Sequence, residues 1–196
     1  AKKTGLPPNK TWRSWEPGPS KIFLNDLEHN FDEDMVAQLR GLGVKQPLAT
    51  TNTWGNNPLF SLPALTTGDL IDVHAYGGPG QLQKDPAWAA HLGDWLAAAQ
   101  VVDMPLAVSE WNAEPFPGYD RHTLPLWIAA MASHQGWRAL MHYAYSQESP
   151  REQGSASNWH AYNDPSLLPM LSAAALMYRR GDVHPAKTTY VYDPGA

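Results

Sequence analysis

The sequence predicts an α/β protein whose strands run parallel in one sheet. Short apolar runs alternate with segments whose apolar residues recur every three or four positions, and this alternation continues from about residue 24 to residue 180. Strands that are separated by helices pair in parallel, because the connecting helix returns the chain to the same end of the sheet. An initial helix followed by four strand and helix pairs fits either a small doubly wound domain or half of an eight-unit barrel.

Composition places the chain among ordinary globular proteins and disfavours several function classes. Of its 196 residues, 43% are hydrophobic and 17% are charged, which suits one folded domain. The formal net charge is -5 with no basic stripe, and no apolar run reaches about 18 residues, so we expect no nucleic acid and no membrane as partners. Cysteine is absent, which excludes disulfides, thiolate metal sites and cysteine nucleophiles and leaves the compartment open, a secreted or periplasmic one included.

The first part of the chain predicts a helix and a strand after an irregular start. Residues 1–22 are rich in Pro, Lys and Ser and are predicted to be irregular. Apolar residues then recur at helical spacing as far as Gly41 or Gly43, and they are Leu24, Leu27, Phe31, Met35 and Leu39. Residues 44–52 predict a short strand, and Trp54 lies in the loop that follows it.

Three further strand and helix pairs complete the predicted domain, residues 23–182. The predicted strands are 69–76, 105–112 and 137–147, and the helices that follow them are about 88–99, 122–135 and 165–179. Asp164 precedes Pro165 at the start of the last helix, where an Asp cap and a first-turn Pro are favoured. Residues 183–196 form a tail in which KTTYVYD predicts an extra strand, compatible with the start of a further β domain.

Polar and aromatic side chains follow each predicted strand at its C-terminal end. Ligands of parallel α/β proteins bind at this end of the sheet. The candidates in chain order are Asn52, Trp54, His74, Tyr76, Glu110, Trp111, Asn112, Tyr143 and Tyr145. His74 and Tyr76 share one strand face, because side chains alternate with a period of two. A carboxylate among amides, an imidazole and aromatic rings suits a neutral ligand that is rich in hydroxyl groups.

Each of these residues also has a structural interpretation. Glu110 is about as well explained by an ion pair with an arginine, and a histidine such as His74 is more often part of a core. The chain holds nine Trp and eight Tyr, of which most are expected to fill the core, although such rings also stack on the C–H faces of sugars. No glycine-rich phosphate loop follows a strand, which disfavours nucleotide binding.

Two motifs at consecutive strand ends resemble a known enzyme family. HAY at residues 74–76, followed by SEWN at residues 109–112, is similar to the last strands of the clan A glycoside hydrolases, which include cellulase-like and β-galactosidase-like enzymes. The stretch LEHNFDEDMVAQLRGLGVKQPLATTN resembles the passage into the fifth strand of that family. The resemblance covers about residues 24–180 and implies the C-terminal half, strands 5–8 with their helices, of a (β/α)8 TIM barrel.

The resemblance implies a retaining glycosidase that hydrolyses O-glycosyl bonds of an oligo- or polysaccharide, with Glu110 as nucleophile. It implies that Tyr76, of the His74–Tyr76 pair, donates a hydrogen bond to Glu110, and that the other strand-end candidates bind substrate. Trp54, Trp111 and Tyr143 are the favoured stacking surfaces among them. No metal and no organic cofactor is implied.

The sequence departs from the family in two respects. The acid/base Glu of the family follows an Asn at the end of the fourth strand, and the chain contains no Asn-Glu dipeptide. The eighth strand of the family offers a Trp as sugar platform, where this chain has Tyr143 or Tyr145. We therefore expect a chain that begins after the fourth strand, is nearly inactive alone, and either pairs with the missing N-terminal half or self-associates through open sheet edges.

Three other interpretations of the sequence stay open. A non-catalytic carbohydrate-binding protein would use the same aromatic side chains. A metal-dependent hydrolase would draw on the eight His, which are scattered and form no HxH or HExxH motif. A structural fragment would have no function of its own.

Overall fold

The chain folds as a small open parallel sheet with helices packed against it. The computed structural model describes residues 18–54, 61–78, 80, 82, 92–113, 116–149 and 157–193. The helices are α1 (Gly18–Gly41), α2 (Leu62–Leu65), α3 (Leu92–Ala98), α4 (Leu124–Gln135) and α5 (Leu168–Arg180). The strands are β1 (Thr53–Trp54), β2 (Ile71–Gly77), β3 (Leu106–Ala113) and β4 (Ala139–His142), and a short 3-10 helix spans Tyr119–Arg121.

The four strands are parallel and lie in the order β1-β2-β3-β4, which is their order in the chain. The predicted α/β class with a parallel sheet is thereby confirmed. Consecutive parallel strands that lie side by side need crossovers, and crossovers of one hand bring the connecting helices to one face of the sheet. Strand β2 shows the result, because its residues alternate strictly between buried and half-buried positions.

One face of the sheet carries the hydrophobic core. Ile71, Val73 and Ala75 are at most 1% exposed. They form a cluster with Leu96 of α3 and Ile128 of α4, among other buried side chains. The opposite face of β2 carries polar side chains that are only half-buried, so we call it the open face.

Two of the helices stop at glycines whose backbone conformation suits a helix end. Gly136 after α4 has φ 76° and Gly181 after α5 has φ 70°, which is left-handed backbone that residues with a Cβ rarely adopt. Helix α5 packs on α4, and the Tyr178 hydroxyl donates a 2.5 Å hydrogen bond to the carbonyl of Trp137. This bond joins the last helix to the segment that enters β4.

The first strand lies further along the chain than the sequence predicts. Residues 44–52 form only an isolated bridge, Ala49 to Leu70, and the strand itself is Thr53–Trp54. Pro47 cannot donate a ladder hydrogen bond. Side chains hold the preceding residues instead, because Arg40 donates to the carbonyls of Val44 and Gln46. The predicted strand is therefore wrong in position, although it precedes β2 as expected.

Other boundaries also differ from the sequence prediction. Helix α1 already begins at Gly18, within the segment 1–22 that was predicted to be irregular. The fourth strand is shorter than predicted and ends at His142, and the Tyr143–Ala144 peptide bond that follows it is cis. In the tail, residues 187–193 form no strand, and Tyr190 is 93% exposed. A strand there would need a neighbour, and the described part of the chain provides none.

Helix α1 presents its apolar residues to solvent rather than to the sheet. Phe23, Leu27, Phe31 and Met35 recur every four residues and are 41% to 64% exposed, and we call them the α1 stripe. The inner side of α1 is polar, since Asn25 accepts a hydrogen bond from the Ala64 amide and Asp32 is 2% exposed. The α1 stripe is therefore an exposed apolar surface in the described part of the chain.

Candidate functional site

A bulge in β3 places Ser109 and Glu110 together on the open face. Val73 pairs with Val108, but His74, the next residue of β2, pairs with Glu110, so Ser109 is an extra residue in β3. Without it, strict alternation would send Glu110 to the face that packs on the helices. Strand pairing puts Glu110 beside His74, and both side chains are half-buried.

Two side chains of β2 lie against the Glu110 carboxylate, and one of them donates a hydrogen bond to it. The Tyr76 hydroxyl donates a 2.5 Å hydrogen bond to Oε2, which gives the contact that the resemblance implied. His74 Nδ1 lies 3.2 Å from the same oxygen. The Glu110 side chain remains 30% exposed, so a ligand on the open face could reach it. The hydrogen bond from Tyr76 is short, and a hydrogen bond to a carboxylate is stronger than one between neutral groups, so it fixes the Glu110 side chain firmly.

A second layer of hydrogen bonds lies behind His74. Its other ring nitrogen, Nε2, is 3.1 Å from Ser109 Oγ. Ser109 in turn donates its hydroxyl to Asp72 Oδ2 at 2.7 Å and its backbone amide to Asp72 Oδ1 at 3.1 Å. Asp72, His74 and Tyr76 are alternate residues of one strand face, so β2 supplies most of this network.

Aromatic rings lie next to the carboxylate, and one of them was missed by the sequence interpretation. Trp159 contacts Tyr76 edge-on at 5.8 Å between ring centroids and contacts Tyr143 in the same way at 5.9 Å. It belongs to the long polar segment after β4, where no strand pattern singles it out. The general rule that loops after barrel strands carry binding residues was the one available signal. Trp159 lies between Tyr76 and Tyr143 and so connects the Tyr143 ring to the group around Glu110.

The structure corrects the expectation that Trp111 is a stacking surface. Trp111 is 4% exposed, lies in the hydrophobic core and meets the His142 ring edge-on at 4.9 Å. Consecutive strand residues point to opposite faces, so Glu110 and Trp111 cannot both face the same ligand. The bulge gives the open face to Glu110.

Asn112 is also withdrawn from the solvent. It is 1% exposed, and its amide group donates to the backbone carbonyls of Tyr143 and Asn158, the latter at 2.5 Å. Its carbonyl accepts the amide of Ala113. The expected contact with substrate is therefore replaced by a structural one, in which Asn112 ties β3 to the exit of β4 and to the loop that carries Trp159.

The remaining candidates are Asn52, Trp54 and Tyr145. Asn52 is exposed just before β1. Trp54 is within β1, and its backbone pairs with His74, next to the site. Tyr145 is 59% exposed, and its ring lies 6.0 Å from that of Tyr162. The structure thus groups His74, Tyr76 and Glu110, whereas Asn52 and Tyr145 are exposed outside this group.

A buried ion pair supports the loops at this end of the sheet. Arg121 and Asp164 are each 3% exposed, and Arg121 donates to Asp164 Oδ2 at 3.1 Å. Arg121 also donates to the carbonyls of Ala113, at the end of β3, and Ser157, in the loop before Trp159. Burial alone would raise the pKa of Asp164, but hydrogen bonds from Ser166, Leu167 and Arg121 outweigh it and lower the pKa below 3.8.

Among the described residues near the site, His142 is the one whose pKa is shifted by a large amount. Burial, with a smaller contribution from the Arg121 charge, lowers the pKa of His142 from 6.5 to about 4. Neither ring nitrogen of His142 has a hydrogen-bond partner among the described residues, and the same holds for Nε1 of Trp111 beside it. His142 is therefore neutral at pH 7 and lies on the core side of the sheet, away from Glu110.

Two features that the described residues lack bear on other functions. They contain no group of three or more His, Asp or Glu side chains arranged to hold a metal ion. None of their helices is both long and apolar enough to cross a membrane. Comparison of the chain with protein-family models, with curated proteins and with solved structures finds no match. Function is therefore inferred from the geometry around Glu110.

Proposed function

We propose that the chain carries the nucleophile side of a retaining glycoside hydrolase, with Glu110 as nucleophile. The observation that carries this proposal is the hydrogen bond from Tyr76 to Glu110 Oε2, with His74 Nδ1 3.2 Å from the same oxygen. A carboxyl group that is fixed by a 2.5 Å hydrogen bond and still 30% exposed suits nucleophilic attack on a neutral sugar. A carboxylate in a merely structural ion pair would instead face an arginine, and no described arginine pairs with Glu110.

The proposed reaction has two steps. A Glu110 oxygen forms a bond to the anomeric carbon while the glycosidic bond breaks, and a second carboxylic acid protonates the departing oxygen. That second group then removes a proton from water, the water oxygen bonds to the anomeric carbon, and the bond to Glu110 breaks. The two carboxyl groups of retaining enzymes lie about 5 to 5.5 Å apart. Asp72 is a poor choice for the second group, because Ser109 already occupies both of its oxygens.

The architecture supports a half-barrel interpretation, strands 5–8 of a (β/α)8 barrel. Adjacent parallel strands in chain order are what successive barrel units produce. Parallel sheets in folded proteins are covered on both faces, whereas the open face of this sheet carries half-buried Asp72, His74 and Tyr76. In a closed barrel this face would line the interior and the mouth, where the catalytic groups of such enzymes lie.

The partner in this proposal is a set of preceding strand and helix units of the same barrel. Within the described sheet β1 is an edge strand, and α1 immediately precedes it in the chain. The α1 stripe exposes four large apolar side chains on the side away from the sheet. A parallel strand added beside β1, with its helix against the stripe, would cover both surfaces and bring a second carboxylate to Glu110.

The proposal is tested with activated fluorosugars, whose fluoride leaving group needs little help from an acid. Such reagents trap the covalent glycosyl-enzyme on the nucleophile, and mass spectrometry of the digested protein locates the label. We expect a label on Glu110, present in the chain mixed with a complementary barrel half and absent from Glu110→Gln. A label on another residue, or glycosidase turnover that Glu110→Gln retains, would refute the nucleophile assignment.

A second candidate function is carbohydrate binding without catalysis. The observation in its favour is the group of rings formed by Tyr76, Trp159 and Tyr143, since aromatic side chains alone can bind a sugar face. Calorimetry with oligosaccharides separates the two functions. Binding without hydrolysis by the assembled protein, with equal affinity in Glu110→Gln, would favour the binding protein.

A further inference from the structure

The aromatic rings near Glu110 continue along the segment that leaves β4. Trp159 contacts the Tyr76 ring edge-on at 5.8 Å between centroids, and it contacts the Tyr143 ring in the same way at 5.9 Å. Tyr145 follows Tyr143 by two residues, and two residues of backbone span at most about 7 Å. The row of rings that begins beside the carboxylate therefore extends to Tyr145.

Tyr145 and Tyr162 form a pair of rings on a fixed backbone, and we call them the outer pair. Their centroids lie 6.0 Å apart, and the ring planes are tilted by 47°. The Ala161 amide donates to the carbonyls of Ala144 and Tyr145, and the Tyr162 amide donates to the Tyr145 carbonyl, at 3.0 to 3.2 Å. Tyr162 also meets the buried His160 ring edge-on at 5.9 Å. The exposed Tyr145 ring is thus mounted on an ordered support.

The surroundings of the outer pair suit a neutral sugar ring. Tyr145 is 59% exposed, and because the two rings are tilted rather than stacked, they leave ring faces open to the C–H groups of a sugar. Gln147 and Glu148 follow in the same loop, and both are exposed. Gln147 Nε2 donates a 2.6 Å hydrogen bond to the Tyr143 hydroxyl, while amide and carboxylate oxygens accept from hydroxyl groups. The loop therefore offers an apolar surface beside groups that bind hydroxyls.

We propose that the outer pair forms a second sugar subsite, so that the substrate is an oligo- or polysaccharide that extends from Glu110 along the row of rings to Tyr145. This deepens the proposed function and rests on it for cleavage at Glu110, whereas the binding of a sugar at Tyr145 does not. A strand that completed the barrel beside β4 would pair with residues 139–142. Tyr145 lies three residues beyond that ladder, at the mouth of the proposed barrel.

A second subsite makes affinity depend on the length of the sugar chain. Trp159 and Tyr143 lie next to the group around Glu110, so a disaccharide bound there uses these two rings. A longer oligosaccharide also reaches the outer pair and gains the contact with Tyr145. In the assembled protein this remote contact adds binding energy for long substrates alone.

Fluorine nuclear magnetic resonance of the full 196-residue chain, labelled with fluorotyrosine, tests the proposal directly. The chain holds eight Tyr, and single Tyr→Phe variants assign the signals of Tyr143, Tyr145 and Tyr190. The probes are β-linked gluco-, xylo-, manno- and galacto-oligosaccharides, from disaccharides to hexasaccharides. We expect the Tyr143 signal to respond to every length of the sugar that binds, and the Tyr145 signal to respond to the longer ones alone. Tyr190 is 93% exposed in the tail, and its signal should respond to none.

Substitution of Tyr145 isolates the contribution of the exposed ring. In Tyr145→Ala we expect the affinity for the hexasaccharide to fall about ten-fold and the affinity for the disaccharide to stay unchanged, because one subsite loses its aromatic surface. Tyr145→Phe keeps the ring and should keep most of the affinity. Tyr190→Ala removes another exposed tyrosine and is the matched control, which should bind both sugars as the unmodified chain does. Titrations followed by fluorine resonance or calorimetry measure these affinities.

The outcomes separate this inference from the proposed function. A Tyr145 signal that responds to no oligosaccharide, or that changes when a complementary barrel half is added but not with any sugar, would overturn the second subsite even if a fluorosugar labels Glu110. An equal loss of affinity for disaccharide and hexasaccharide in Tyr145→Ala would overturn it as well. A response of Tyr145 that depends on sugar length, without a label on Glu110, supports the subsite, and the proposed function alone would then fail.

Discussion

Tyr76 of β2 donates its hydroxyl to Glu110 Oε2 of β3 across the sheet, at 2.5 Å. The two residues are 34 positions apart in the chain, and parallel pairing of β2 with β3 brings them together. A rigid strand thus fixes the carboxylate of its neighbour. Sites built on strands hold their geometry better than sites built on loops, which suits the nucleophile role proposed for Glu110.

The first prediction concerns this contact in the enzyme that we propose, assembled with the rest of its barrel. Tyr76→Phe removes a charge-assisted hydrogen bond worth about 1.5 to 3 kcal/mol, so we expect kcat to fall about ten- to a hundred-fold. Glu110→Gln should lower kcat by several orders of magnitude, because it removes the proposed nucleophile. Hydrolysis of aryl glycosides measures both effects. Tyr190→Phe in the exposed tail is the control, and an equal loss of activity in it would contradict a specific role for Tyr76.

The second prediction concerns the buried pair of Arg121 and Asp164. Arg121→Met leaves the Asp164 carboxylate buried without its charge partner, which costs about 3 to 5 kcal/mol in the free energy of unfolding. Urea unfolding of the chain measures this loss. Arg180→Met breaks a matched pair with Asp182 whose side chains are 71% and 45% exposed, and it should cost less than about 1 kcal/mol. Similar losses in the two variants would show that burial of the pair does not matter.

Asp164 also makes the free energy of unfolding depend on pH in the acid range. Its pKa is lowered in the folded chain, so its contribution is fully present above the ordinary value of 3.8 and is lost as pH falls below it. Arg121→Met should weaken this acid dependence, because it removes one of the hydrogen bonds that lower the pKa.

Periodicity predicted the sheet well, because burial on one face and alternation along β2 leave a clear pattern in the sequence. His74, Tyr76 and Glu110 were predictable for the same reason, as polar residues at the ends of two apolar strands. Periodicity could not decide between Glu110 and Trp111, since one inserted residue exchanges the two faces. The bulge at Ser109 is a property of the pairing between two strands, and neither strand shows it alone.

Irregular segments were less predictable for a related reason. Trp159 reaches the site from a loop whose course depends on Asn112, which holds the Asn158 carbonyl, and on Arg121, which holds the Ser157 carbonyl. Both anchors are far away in the chain, so no local pattern reports them. The segment before β1 shows the same effect, because Asp69 binds the Leu48 amide and takes the place of a strand ladder.

The third prediction concerns His142 and the pH dependence of stability. Its pKa of about 4 in the folded chain lies below the 6.5 of an unfolded chain, so the unfolded state binds more protons between these values. This contribution is full above pH 6.5 and is lost as pH falls towards 4, to a total of about 3 kcal/mol. Urea unfolding between pH 7 and pH 4 measures it, in a window above that of Asp164.

His142→Phe isolates this effect. The variant keeps an aromatic ring against Trp111 and removes two buried nitrogens that have no partner among the described residues. We expect its stability at pH 7 to be equal or higher, and its pH dependence between 6.5 and 4 to become smaller. His122→Phe replaces an exposed histidine and should keep the original pH dependence. An unchanged pH profile in His142→Phe would mean that His142 is not a buried neutral group.

The fourth prediction concerns the α1 stripe. Leu27 and Phe31 are each 57% exposed, so they add little to the stability of the isolated chain, but together they offer an apolar surface that water solvates poorly. Without its partner the chain should self-associate through this surface. The double variant Leu27→Glu/Phe31→Glu should reduce the association. It should change the free energy of unfolding by less than about 1 kcal/mol, because both residues are exposed. Sedimentation over a range of concentrations measures it. Leu42→Glu replaces a residue that is 82% exposed but lies beyond the end of α1 outside the stripe, and it should leave the association unchanged. If the unmodified chain, the double variant and Leu42→Glu all sediment as monomers at high concentration, the α1 stripe does not drive association. The surface that binds the partner would then be the open face or the β1 edge.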